Sequence, residues 1–258
     1  MTEALSQVDL AFVVDTTGSM GGFINAARQQ MLDTVRAATT AAPLPIDLRL
    51  AVVEYRDHPP QDRTFVTKAH PFQGDLARVQ KVIAALKPAG GGDAPEAVYD
   101  GLAAACRELA WRPHACRLAV LIGDSPPHGV GFRGDGFAAG CPCGLTTAGA
   151  TSLLEQHGVT LYALGLTNSV KESFTPLAVW TGGAYFEAAQ GGRAIEAVKQ
   201  VIAREFEEID MDRRVLELCR ATPDWTMDAM SAALASGRGR VSASLSRLGR
   251  RGFLPSVA

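Results

Sequence analysis

Along the chain, short runs that are apolar almost throughout alternate with longer stretches in which apolar residues return every three or four positions. Val8–Val14 (VDLAFVV), Ile46–Tyr55 and Cys116–Asp124 are runs of the first kind. Thr64–Ala69, Val159–Leu166 and the segment AYFEAA around Phe186 are further strand candidates. A near-continuous apolar run of strand length marks a strand buried on both faces. Helical spacing covers residues 22–39, 76–86, 96–109, 152–158, 174–183 and 194–209. Pro95 is placed to open the third of these helices, where its missing N–H costs nothing. Pro88 and the glycines after it stop the second. Strands alternating with helices predict an α/β fold: a Rossmann-like, doubly wound, mostly parallel sheet covered on both faces. Right-handed crossovers place every parallel strand's carboxyl end on one edge, where ligands of such sheets bind.

The pattern changes after Glu208. DRRVLELCRA, TMDAMSAALAS and GRVSASLSRLGRRGFL predict three short helices, a small all-α C-terminal module. The expected division is therefore 1–209 and 210–258, with the second part folding separately. Its spacing resembles a helix-turn-helix or winged-helix unit, and Arg238, Arg240, Arg247, Arg250 and Arg251 are candidates to meet DNA phosphates. Charge sharpens this reading. The net charge is −2 over 258 residues, yet the segment from Met211 onward carries +4, leaving −6 on the rest. No run of about 18 uncharged apolar residues and no basic leader is evident, so neither a membrane span nor a secretory signal is expected. Five cysteines, an odd number, two of them (Cys106 and Cys116) in apolar context, suit reduced thiols and a cytoplasmic setting.

Three segments carry chemistry to the ligand-binding edge. Asp15-Thr16-Thr17-Gly18-Ser19 follows the first strand directly, so a carboxylate and two hydroxyls at alternate positions of a tight turn present three oxygens to one point. Hard cations such as Mg²⁺ take oxygen ligands and often keep several waters. Gly90-Gly91-Gly92-Asp93-Ala94-Pro95-Glu96 is a flexible loop leading into a helix, and Asp124 closes the central apolar strand in LIGDSPPHG. Taken singly, Asp15 to Ser19 could be a helix cap, and Asp93 and Glu96 first-turn acids favoured by the helix dipole. Three such segments converging on one edge favour a metal site instead.

The DTTGSM turn, the GGGDAPEA loop and the LIGDSPPHG strand end resemble, in order and spacing, the three loops of the metal-ion-dependent adhesion site (MIDAS) of von Willebrand factor A domains, over about residues 8–208. The resemblance implies Mg²⁺, or Mn²⁺ or Ca²⁺, held by Asp15, Thr17, Ser19 and Asp124, with one position open to an acidic residue of a partner protein. The family's usual second-loop Thr corresponds to Gly92, which has no side chain to coordinate, so Asp93 or a water takes that place. His128 and Glu96 lie near enough to be partner-binding candidates.

The implied function is metal-dependent capture of a partner protein by an adaptor, without turnover. Two alternatives come from other classes: a DNA-binding regulator that reads through the basic tail, and a metal-dependent phosphohydrolase of the haloacid-dehalogenase type. The latter needs a general acid two residues after its nucleophilic Asp, where this chain has Thr17, and a late acidic pair that the strand end ALGLTNS lacks. Cys141-Pro-Cys143, in the glycine-rich loop 125–144, offers two thiolates to zinc with His128 or His114 as a further ligand, although the spacing differs from the familiar paired knuckles.

Overall fold

The apolar runs lie side by side in one sheet, in the order β3-β2-β1-β4-β5-β6. A computed structural model of the protein describes residues 2–222 and 224–254. The strands are β1 (Gln7–Asp15), β2 (Asp47–Tyr55), β3 (Thr67–Gln73), β4 (Cys116–Gly123), β5 (Val159–Gly165) and β6 (Tyr185–Glu187). All neighbours pair in parallel except β3, which runs antiparallel to β2 at one border. The helices are α1 (Thr2–Leu5), α2 (Gly21–Thr40), α3 (Leu76–Ala85), α4 (Val98–Arg107), α5 (Thr147–Gln156), α6 (Lys171–Trp180), α7 (Gly191–Ala221), α8 (Met227–Ala233) and α9 (Arg238–Arg250).

Side chains of a strand point alternately to opposite faces, and β1 shows why its run is apolar at both phases. Leu10, Phe12 and Val14 enter the core shared with α2, α3 and α7, while Ala11 and Val13 enter the core shared with α4, α5 and α6. In register, Phe12 lies between Val52 and Val120. This two-sided burial puts β1 in the middle and sets Asp15 at its carboxyl end.

Several boundaries differ from expectation. Helix α4 opens at Val98 rather than at Pro95, because the Glu96 amide donates to the Pro126 carbonyl (2.9 Å) and Glu96 pairs with Pro127 in an extended bridge. Strand β3 starts at Thr67 instead of Thr64. The Thr64 amide and hydroxyl are both held by Asp62 Oδ1, which turns the chain before pairing begins. Helix α5 begins at Thr147, with the Thr146 hydroxyl accepting from the Gly149 amide in the manner of an N-cap.

The largest difference concerns the C-terminal residues. The expected boundary at 209/210 falls inside α7, which runs unbroken to Ala221. No Gly or Pro interrupts it after Gly192, and Arg213 bridges Asp210 and Glu217 at helical spacing, 2.8 Å from each. Its last turns form a third core with α8, α9 and Leu5 of α1, through Val215, Leu216, Val241, Leu245 and Leu248. The arginines considered for DNA are largely spent here. Arg247 bonds Asp212 (2.7 Å) and Glu208 (2.7 Å), and Arg240 bonds Glu208 (3.0 Å). Arg238 pairs with Asp228, while Arg251 is buried and donates to the carbonyls of Leu5 (2.6 Å) and His114 (3.0 Å). Arg250 alone of the five is exposed without a partner named among these pairs. The DNA-reading expectation gains no support from this arrangement, in which Arg247 and Arg251 are taken up within the chain.

At the amino-terminal edge, opposite the strand ends of interest, the fully buried Asp9 receives Arg49 (2.9 and 2.7 Å) and Arg112 (2.9 Å, with the Arg112 amide at 2.8 Å). Removing one member of a buried charge cluster leaves the others uncompensated, at a cost of about 3–5 kcal/mol. Asp9→Ala is therefore expected to lower unfolding free energy by about 3 kcal/mol in denaturant titrations without changing events at the opposite edge. A second outcome follows from α7: residues 210–258 made alone should show no cooperative thermal transition, and a chain ended after Ile209 should melt several degrees lower. A cooperative melt of the isolated segment would instead support the two-domain division.

Candidate metal centre

Asp15 is fully buried at the end of β1. Its Oδ1 accepts two hydrogen bonds from Thr17, one from the amide (2.8 Å) and one from the hydroxyl (2.6 Å). The Thr17 hydroxyl lies 3.4 Å from that of Ser19. This turn continues as a 3₁₀ turn over Gly18–Met20, so α2 proper starts at Gly21. Asp15 Oδ2, by contrast, is buried and finds no hydrogen-bond partner among the described residues.

The glycine loop is strapped to this turn by its backbone. The Ala89 amide donates to the Thr16 carbonyl (3.0 Å), and the Gly18 amide donates to the Gly90 carbonyl (3.2 Å). Gly90 and Gly91 both adopt positive φ, +77° and +82°. A side chain at Gly91 would sit 3.0 Å from Glu96 Oε1 and 3.3 Å from Thr17 Cβ, so glycine is required for the close approach. The loop then delivers Glu96, which is 3% exposed, to the edge. Its Oε2 is again buried without a partner among the described residues.

Electrostatics records how close these acids lie. Burial pushes the Asp15 carboxyl up to about 7 against the lowering effect of the Thr17 hydrogen bonds, and the neighbouring Asp124 charge adds to the rise. Burial pushes Glu96 up to about 10, helped by the charges of Asp15, Asp57, Asp124 and Asp93. The buried Tyr55 hydroxyl faces the same group and is raised by burial and by Asp15, Asp124 and Glu96. Asp124 follows β4, and its carbonyl is fixed by the hydroxyls of Thr167 (2.6 Å) and Ser169 (3.3 Å). A crevice of about 330 Å³ opens beside it, lined among others by Ser19, Phe23, Asp124, Thr167 and Gln190. Carboxylates and hydroxyls crowded in a poorly solvated place, with Asp15 Oδ2, Glu96 Oε2 and the Tyr55 hydroxyl unsatisfied, are a donor set that suits a hard divalent cation.

Asp15, Thr17, Ser19 and Asp124 thus come to one edge, but Asp93 does not face them. Its Oδ2 accepts from the Gly136 amide, and its neighbours are Asp57 and His128. His128 is 1% exposed, with Nε2 2.7 Å from Asp57 and Nδ1 2.8 Å from Asp135. Burial opposes its charge, yet the hydrogen bonds and charges of Asp57 and Asp135 outweigh it and hold its pKa above the usual value. With both nitrogens engaged, His128 pins the loop after β4. Glu96, also considered for partner contact, is turned inward toward Asp15 and Asp124.

Residues that sequence reasoning passed over lie at the end of β2, in Tyr55-Arg56-Asp57-His58. Arg56 is buried, donates to the Thr16 hydroxyl (3.3 Å), the Thr64 hydroxyl (2.9 Å) and the Lys87 carbonyl (2.8 Å), and lies 3.7 Å from Asp62. It therefore ties the Asp15 turn to the glycine loop. The available signal was a run of polar residues closing a buried parallel strand at the ligand edge.

Residues 9–112 match the family model of the von Willebrand factor A domain. Over 142 residues the chain is 28% identical to alpha-protein kinase vwkA of Dictyostelium discoideum, covering 54% of this chain and 22% of that protein. Among solved structures, the pilus adhesin SpaC of Lactobacillus rhamnosus GG superposes with a TM-score of 0.57 at 15% identity, over 78% of this chain and 30% of the adhesin. Proximal thread matrix protein 1 of the mussel byssus, with its MIDAS motif occupied by zinc, superposes with a TM-score of 0.56 at 17% identity, over 80% of this chain and 47% of that one. Identities this low speak for the fold alone: the chain has an α/β fold like that of von Willebrand factor A domains, and residues 9–112 are similar to that family in sequence.

Proposed function

We propose that the domain is a divalent-metal-dependent protein-binding module in which Asp15, Thr17, Ser19 and Asp124 hold the cation and a partner's carboxylate completes its coordination. The observation that carries this reading is the pair of buried, unpartnered carboxyl oxygens, Asp15 Oδ2 and Glu96 Oε2, at the sheet edge where Ser19 and Asp124 line an open crevice. Oxygen-only donors favour Mg²⁺ or Mn²⁺ over softer ions. Glu96, pushed up to about 10, stays protonated near neutral pH and adds no charge. Two carboxylates then face the cation, which keeps enough positive charge to attract an external Asp or Glu.

Turnover is not part of the proposal. A phosphohydrolase of the haloacid-dehalogenase kind needs a proton donor two residues after its nucleophile, and here Thr17 spends its amide and hydroxyl protons on Asp15 itself. The kinase name belongs to the Dictyostelium protein, of which this chain matches 22%. An adaptor or scaffold role fits a site that grips and does not transform.

Titration calorimetry with Mg²⁺ tests the ligand set. Asp15→Ala and Asp124→Ala are expected to abolish binding with the fold retained. Asp93→Ala should leave affinity within about threefold, because Asp93 faces Asp57 and His128; loss of binding there would return Asp93 to the ligand set.

Stability against pH supplies a second outcome. Asp15 titrates near 3.8 when unfolded and at about 7 in the fold, so folding disfavours its charged form. Its contribution is most favourable below about pH 4, declines as pH rises toward 7, and stays lost above that. In metal-free buffer at pH 7, Asp15→Asn should therefore be more stable than the parent by roughly 2–4 kcal/mol. Mg²⁺ should close that gap by stabilising only the parent. Equal stabilisation of both proteins by Mg²⁺ would place the cation elsewhere.

A further inference from the structure

A second cluster stands on the other side of the β4–α5 loop from the Asp15 turn, and its donor chemistry is different. His58 follows β2, Asp100 lies in the first turn of α4, and Cys141 and Cys143 end the long loop that precedes α5. His58 Nε2 is 3.0 Å from Asp100 Oδ2, Cys141 Sγ is 3.1 Å from the same oxygen, and Cys141 Sγ is 3.6 Å from His58 Nε2. These three donor atoms converge on one point. The Cys143 sulfur is 3.2 Å from that of Cys141.

We infer that His58, Asp100, Cys141 and Cys143 form a structural zinc site that clasps the β4–α5 loop to the domain. With metal bonds of about 2.3 Å to sulfur and about 2.0–2.1 Å to nitrogen or oxygen, a tetrahedral ion separates its ligand atoms by about 3.3–3.8 Å. The separations among His58, Asp100 and Cys141 fall within about half an ångström of that range, whereas Cys143 stands outside that group and must turn inward to become the fourth ligand. The two sulfurs are also well beyond the ~2.05 Å of a disulfide. The two thiol groups share a tight turn in which the Gly144 amide donates to the Cys141 carbonyl (2.9 Å) and the Leu145 amide approaches the Cys143 sulfur at 3.5 Å. An amide aimed at the Cys143 sulfur favours its thiolate, while Cys141 donates its thiol proton to Asp100 and would release that proton on binding metal.

The arrangement is not that of a Cys-His-Asp nucleophilic triad. There the thiol and the acid occupy opposite nitrogens of the imidazole, whereas here both face His58 Nε2. Two thiolates, an imidazole and a carboxylate select a borderline-soft cation, zinc, over Mg²⁺. Cys141 is 5% exposed and Phe137 packs edge-on against His58, so the three converging donors are sheltered, with Cys143 exposed at their rim. The need for it is physical. Residues 124–146 contain no helix or strand, and so long a loop is held only by specific cross-links. His128 anchors its beginning, and the zinc would anchor its end. The inference is independent of what the Asp15 edge binds.

Metal analysis of the full chain, purified from zinc-supplemented medium, should find about one zinc per chain that survives gel filtration. Substituting Co²⁺ should produce a thiolate-to-cobalt charge-transfer band and the strong visible bands of tetrahedral coordination, which an all-oxygen site cannot give. His58→Ala and Asp100→Asn should each weaken zinc affinity at least about tenfold, and the double variant Cys141→Ser/Cys143→Ser should lose the charge-transfer band. Asp15→Ala should retain zinc and band alike. Should the double cysteine variant fail to fold, the two single variants decide. The inference is overturned by a folded parent that takes up cobalt without a charge-transfer band, by a Cys141–Cys143 disulfide in the freshly isolated chain, or by zinc that leaves with Asp15→Ala and not with Asp100→Asn.

Discussion

The carboxyl edge of the sheet concentrates negative charge where water is scarce, and most of its local architecture answers to that constraint. Burial, reinforced by the charges of neighbouring acids, raises the carboxyls of Asp15 and Glu96. Such a group can be relieved by a buried cationic side chain, by protonation or by a metal ion. The nearest guanidinium, Arg56, is committed to loop hydroxyls, a carbonyl and Asp62. Arg56 therefore offsets the charge of Asp15 only in part, and Asp15 stays raised. Stability is given up locally and recovered in the two hydrophobic layers that enclose the sheet.

Holding the acids together is the work of backbone and buried polar contacts that reach across the sequence. The glycine loop is strapped to the Asp15 turn by amide-to-carbonyl bonds, and Arg56 reinforces the strap from beneath. The loop after β4 docks through Glu96, through the imidazole of His128 between two aspartates, and through the cysteine cluster. These ties fix the backbone and side chains around the unpartnered oxygens of Asp15 and Glu96, so the edge is preorganised.

The contrast between an acidic body and a basic tail has a related explanation. Positive charge beyond Met211 faces α7, where Glu208 and Asp212 receive Arg240 and Arg247, while Arg251 reaches back to α1 and the start of β4. What looks in one dimension like a surface for phosphates is in three dimensions the polar lining of an internal contact. Apolar residues of α7, α8, α9 and α1 complete that contact and make the tail part of the domain's own stability.

Strand and helix placement was legible because hydrophobic periodicity is local: VDLAFVV at both phases of the pleat could only be a central strand. The same holds for Asp15, Thr17, Ser19 and Asp124, since a strand end and a tight turn place side chains within a few residues of the element that carries them. Other features depended on distant partners. Which acid of GGGDAPE turns toward Asp15 was decided by the Glu96 amide meeting Pro126, which holds Glu96 extended and sends Asp93 to the opposite side. His58, Asp100 and Cys141 come from three separated segments and meet only once β2, α4 and the β4–α5 loop are packed. The helix through residue 209 likewise reads as continuous once its polar residues are seen to face α9. Periodicity along a chain determines elements and their ends, but the direction of a loop side chain is set by hydrogen bonds to residues far away in sequence, which only the folded chain supplies.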